Sequence, residues 1–200
     1  KLDTYEDKLG SFLLKLSSRD LTEEDSNRVS QILSIIGDYE RIGDHASNIL
    51  KVAEKFKDMD RKLSDEAVGE LKTIVNANIE ILTMTLEAYS TENLELSSQV
   101  EPLEAVIKKG VRRAKNNHIQ RLKEGQCSAE ISFLFSDLLN DLRRVAAHCG
   151  NVATSVIQLH DTTLNKHEYN HRNKQEDVEF VTRYQDYKSR YKVAKKQQPV

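Results

Sequence analysis

The segment 38–49 carries Asp38, Arg41, His45 and Asn48 at helical intervals, and the same four residue types return at Asp141, Arg144, His148 and Asn151. Ile42 and Ile49 are answered by Val145 and Val152 at the same register. Four matching polar residues in segments that otherwise differ mark an internal duplication, which constrains the fold more than any single propensity. Whatever unit the first copy builds, the second must build again.

That unit is helical. Seven glycines and two prolines in 200 residues leave little turn chemistry, while Leu, Glu, Lys, Ala and Gln are common. Apolar residues recur at three- and four-residue intervals, the signature of amphipathic helices. The first stripe is Leu2, Tyr5, Leu9, Phe12, Leu13 and Leu16. The second, opened by Asp25 or Ser26 as a cap, runs through Val29, Ile32, Ile35, Tyr39, Ile42, Ala46, Ile49 and Ala53. Ser64 opens a third helix with the stripe Val68, Leu71, Val75, Ile79, Leu82 and Leu86. A fourth spans about 92–124, with a bend expected at Pro102 and Gly125 as its stop. Ser128 opens a fifth, with Ile131, Phe135, Leu138, Leu142, Val145, Cys149, Val152 and Val156 on one face. A His- and Asn-rich loop is expected over 160–174, then a short helix over 176–193. The expected architecture is all-α: one bundle over 1–90, a second, degenerate bundle over 91–194, and a frayed tail at 195–200.

A formal net charge of −2 gives no general attraction to nucleic acid. No apolar run approaches the length of a membrane span, and no secretory signal opens the chain. Cys127 and Cys149 are too few for a disulfide framework. Because the chain opens at Lys1 inside a helical pattern, a continuation upstream is expected.

The repeated Asp, Arg, His and Asn lie along one edge of the apolar stripe, where boundary polar groups bond neighbouring helices and fix register. Gly43 reads as a small residue that lets another helix approach. Glu40 and Asp44 stand one turn apart on the opposite face, and Asp3 and Asp7 do the same on the first helix. Four carboxylates on two consecutive helices offer oxygen ligands for a divalent or iron-type metal ion. A solvated acidic face satisfies the same spacing, and outward pairs converge only in a surface groove.

The segment Asp38-Tyr39-Glu40-Arg41-Ile42-Gly43-Asp44-His45-Ala46-Ser47-Asn48-Ile49 resembles the signature of the PhoU family, "ERIGD" followed by "NI". The copy at 141–152 resembles a decayed version. Val100-Glu101-Pro102-Leu103-Glu104 and Asn117-His118-Ile119-Gln120-Arg121-Leu122 are similar to one branch, the PhoU-like domain behind the membrane part of bacterial sodium/phosphate cotransporters. The resemblance covers about 1–160. It implies tandem three-helix bundles, control of phosphate uptake and no enzymatic activity. It also implies a membrane transport domain upstream in the same polypeptide, a place at the cytoplasmic face of the membrane, and leaves a homo-oligomer open. Some members hold multinuclear metal clusters through paired E(D)-x-x-x-D motifs. Asp3-x-x-x-Asp7 and Glu40-x-x-x-Asp44 match them; in the second half Lys108 follows Glu104, and Arg143 and Ala147 stand at the acidic positions. Any metal is therefore expected in the first half.

The alternatives are a free-standing PhoU-type adaptor and a di-iron carboxylate enzyme. The latter needs inward Glu-x-x-His motifs, and the chain offers only Glu168 to His171, within the expected loop. His160, His167 and His171 read as solvated loop histidines more readily than as ligands. The modestly basic stretch from His160 onward fits an ordinary tail as well as a segment near an anionic membrane.

Overall fold

The computed structural model describes residues 1–59, 62–160 and 177–194. Among them are six α-helices and no strand: α1 (Leu2–Ser17), α2 (Glu23–Asp58), α3 (Asp65–Thr91), α4 (Leu94–Lys123), α5 (Ala129–His160) and α6 (Val178–Arg190). The all-α expectation holds. No described helix is long and apolar enough to cross a membrane.

The helix ends follow capping chemistry. Thr22, rather than Asp25 or Ser26, caps α2: its Oγ1 accepts from the Asp25 amide at 3.1 Å and donates to Asp25 Oδ2 at 2.7 Å. Moving the start back places Glu23, Glu24 and Asp25 in the first turn, where negative charge suits the dipole. Ser64, Asn93, Ser128 and Asp177 each accept from an amide at the start of the following helix. Gly125 (φ 69°) ends α4 as expected: the Gln126 amide reaches Arg121 O at 2.9 Å and the Gly125 amide reaches Leu122 O at 3.0 Å. Glu92 makes the same turn after α3 with φ 50°, unusual for a residue with a Cβ. The helix α4 runs on through Pro102, whose ring is buried.

The helix α5 is the centre of the packing, touching α2, α3 and α4; α3 also packs on α4, α6 on α4, and α1 on α2. Every residue of the expected α5 stripe is buried. The expected α3 stripe flanks the buried face rather than forming it: Leu71, Val75 and Leu82 are half-buried against the core and Ile79 and Leu86 are exposed, while Ala67, Ile74, Ala77, Ile81, Met84 and Ala88 are buried with Asn78 and Thr85. Small alanines allow close approach, and the two polar side chains bond back to their own helix, Asn78 Nδ2 to Ile74 O and Thr85 Oγ1 to Ile81 O. On α1 only Leu13 is buried; Leu2, Tyr5, Leu9 and Phe12 stay exposed, because α2 alone packs on this helix to any extent. The last helix is shorter than expected and buries Tyr187 alone. Residues 161–176 and 195–200, and with them His167, Glu168 and His171, lie outside the described part. His160 ends α5, with Nε2 3.2 Å from Glu92.

Candidate metal centre and the duplicated helix pair

The two copies of the repeated motif meet. His45 Nδ1 lies 2.8 Å from Asp141 Oδ1, and His148 Nδ1 lies 2.7 Å from Asp38 Oδ1. Pairing 38 with 148 and 45 with 141 requires α2 and α5 to run antiparallel, each supplying the other's partner. Asn151 Nδ2 adds a bond to Asp38 at 3.1 Å. The repeated Asp and His are therefore register-setting boundary groups, as their place beside the stripe implied. Arg41, Arg144 and Asn48 remain exposed.

With one side of α2 committed to α5, the other side receives α1. Gly43 lies under the first turn of α1: a Cβ there would overlap Leu2 Cδ1, the tip of a part-exposed side chain, so the glycine leaves room for Leu2 as it stands against α2. At Gly37 a Cβ would meet Glu6 Oε1 at 3.9 Å. This approach turns the outward pair Glu40 and Asp44 into the wall of a seam. One oxygen each from Asp3, Glu40 and Asp44 lies within 4.8 Å of the others. Asp7 is outside that group, and Glu6 is the next α1 carboxylate whose charge reaches Glu40. Desolvation and the neighbouring Asp44, Glu6 and Asp3 hold the Glu40 carboxyl above the usual range. An all-oxygen set of like charges suits a hard cation, which relieves the repulsion that now favours a proton. Asp3, Glu40 and Asp44 fit such an ion, and Asp3 would tie α1 to α2 through it.

The matching surface of the second half differs. Lys108 and Arg143 lie close enough to act on Glu104, as their positions implied. Burial nevertheless dominates and pushes the Glu104 carboxyl up to about 7 against the pull of both cations. Glu104 leans over Gly150, where a Cβ would overlap Oε2. An acid pressed onto a helix backbone between two cations offers no cation site.

Glu70 escaped the sequence reading. Arg121, 2% exposed, makes a two-bond fork with it (3.1 and 2.7 Å), and Asn117 Nδ2 donates to the same carboxylate at 2.6 Å. Asn117 and Arg121 thus serve to lock α4 onto α3. Nothing near Glu70 in the chain signals a partner 51 residues away.

An antiparallel pair of duplicated helices, with an acidic seam on the first copy, defines an all-helical bundle built on an internal repeat. The chain belongs to the PhoU domain family, whose model matches residues 1–53 and 71–156. That family consists of regulatory accessory proteins, not enzymes. The chain is 29% identical over 139 residues to the phosphate-specific transport system accessory protein PhoU homolog 1 of Thermotoga maritima, covering 69% of this chain and 58% of that protein. The chain thus spans under two thirds of the relative's length. No solved structure matches.

Proposed function

We propose that this chain is an accessory regulator of a phosphate-uptake system, acting by docking on the transport machinery at the cytoplasmic face of the membrane. The family match across both copies of the motif, together with the relative's role in phosphate-specific transport, is the observation that supports it. In this reading the units of duplication are 1–90 and 91–194, and Asp3, Glu40 and Asp44 hold a divalent or iron-type cation. The cation carries no reaction; it neutralises the seam and fixes α1 on α2. The relative is a separate accessory protein, which favours an adaptor acting on a transporter encoded elsewhere.

A second reading, a domain attached to a sodium/phosphate cotransporter, draws on Val100–Glu104 and Asn117–Leu122. One experiment addresses both. The chain is expressed in a bacterial host lacking its own PhoU-type regulator, and phosphate uptake is measured with and without sodium. Restored control of sodium-independent uptake, lost in Glu40→Gln/Asp44→Asn, is the expected result. Control confined to sodium-coupled uptake would favour the second reading, and no effect on either would overturn both.

A further inference from the structure

The groove between α4 and the end of α6 lies partly outside the family match, since α6 follows residue 156. Its volume is about 460 Å³, within the range of small-molecule sites. Lys109 and Arg113 line it from α4, one turn apart; Lys188, in the last turn of α6, and Lys192, just past its end, line it from the other side. No Asp or Glu is among its lining residues.

Like charges at this spacing repel and normally attract acids between them. Glu80 and Asp186, the acids that pair with the end of α6, are engaged with other groups. Glu80 accepts from both Arg190 terminal nitrogens and from the Tyr191 hydroxyl, and Asp186 pairs with Arg190 Nε at 3.3 Å. Among the described residues no carboxylate forms an ion pair with Lys109, Arg113, Lys188 or Lys192. Instead, the Lys109 and Lys188 ammonium groups gather on the Tyr184 ring, 4.7 and 6.0 Å from its centroid. Arg113 Nη1 donates to Val193 O at 2.9 Å, which holds the strand of chain after α6 against α4 and fixes the groove's width. The pull of the α6 C-terminal dipole accounts for cations on α6 itself; it does not account for the facing pair on α4.

We propose that this groove binds a chain of linked phosphates, as a short inorganic polyphosphate or the phosphate tail of a nucleotide. A single orthophosphate brings up to about two negative charges, half of what four facing cations can neutralise. A run of phosphates bridges both pairs at once. The site is independent of the acidic seam and of the regulatory role proposed above, so it stands or falls alone.

The test is calorimetric titration of the full chain at low salt with orthophosphate, tripolyphosphate and ATP. Tripolyphosphate should bind one-to-one and at least about tenfold tighter than orthophosphate, as one extra charge-assisted contact supplies. Lys109→Gln/Lys188→Gln should weaken it at least about tenfold, and Arg113→Gln/Lys192→Gln likewise. Lys51→Gln/Lys55→Gln, on exposed positions of α2, should change nothing, with circular dichroism checking that all three variants fold. ATP binding as tightly as tripolyphosphate would assign recognition to the phosphates alone; tighter ATP binding would assign a nucleotide. Absence of saturable binding, orthophosphate equal to tripolyphosphate, or the same loss in the α2 control would overturn the proposal.

Discussion

His45 and His148 stack across the α2–α5 seam, ring centroids 5.6 Å apart and planes 24° from parallel, each tied through Nδ1 to the aspartate of the other copy. The two ties are not equally enclosed. Side-chain exposure is 10% and 5% for His148 and Asp38, against 23% and 15% for His45 and Asp141.

That difference sets the first expectation. Truncating Asp38 strands His148 and Asn151 away from water, so Asp38→Ala should cost about 2–3 kcal/mol. A double-mutant cycle on Asp38/His148 should give a coupling above that of Asp141/His45, where solvent replaces the lost bond more readily. Urea unfolding of the two cycles checks the order. Equal couplings would mean that burial does not govern the seam.

Glu104 makes stability depend on pH. Its carboxyl is raised from an ordinary 4.5 to about 7 by burial. The native state then holds the proton more tightly than the unfolded chain, so stability is highest below the unfolded value and falls as pH climbs from there through the folded one. The full loss is about 3 kcal/mol. Glu104→Gln should remove this slope and unfold at higher urea than wild type at pH 8, with little difference at pH 4.

Glu92 occupies the left-handed region at the junction of α3 and α4. Glycine enters that region freely, so Glu92→Gly should stabilise the protein by roughly 1 kcal/mol. The contacts surrendered are exposed pairs with Arg28 and His160, 3.9 and 3.2 Å long, and such pairs contribute little. A lower melting temperature in the glycine variant would assign those pairs a larger share.

The acidic seam predicts a cation response. Manganese or ferrous iron titrated into purified protein should bind more weakly to Glu40→Gln/Asp44→Asn and to Asp3→Asn, and unchanged to Glu104→Gln. Asp7→Asn, outside the cluster, should lose less than Asp3→Asn. Indistinguishable binding by wild type and Glu40→Gln/Asp44→Asn would leave the seam an ordinary acidic surface.

Much of this was legible from residue order because helices write their faces at fixed intervals. The α5 stripe, the Ser64 and Ser128 caps, the Gly125 stop and the room left at Gly43 all rest on local rules, and all hold. The duplicated Asp and His identified a boundary, though the reciprocity of their pairing needed the antiparallel approach. What misled was chemistry that hides in context. Ala67, Ala77 and Ala88 carry too little apolar weight to outvote Ile79 and Leu86, yet they are among the most buried residues of α3, the helix that packs on α4 and α5. Asp7 repeats Asp3 one turn later, but helical spacing says nothing of which turn faces a neighbour. Glu70 and Arg121 have no shared local pattern at all.

The reciprocity of the seam has an evolutionary corollary. Each Asp–His tie draws one member from each copy, so a change in either copy leaves a group of the other without its partner, buried for Asp38 and His148 and part-exposed for His45 and Asp141. A substitution at any one of these four positions is therefore felt in the other copy. The acids of the α1–α2 seam are under no such mutual obligation, since α1 and α2 lie within one copy. In keeping with that asymmetry, the second copy carries Asp141 and His148 at the tie positions, while Arg143 and Ala147 stand where the first copy has Glu40 and Asp44. One half of the motif is inherited as a contract between copies, the other as a private possession of the first.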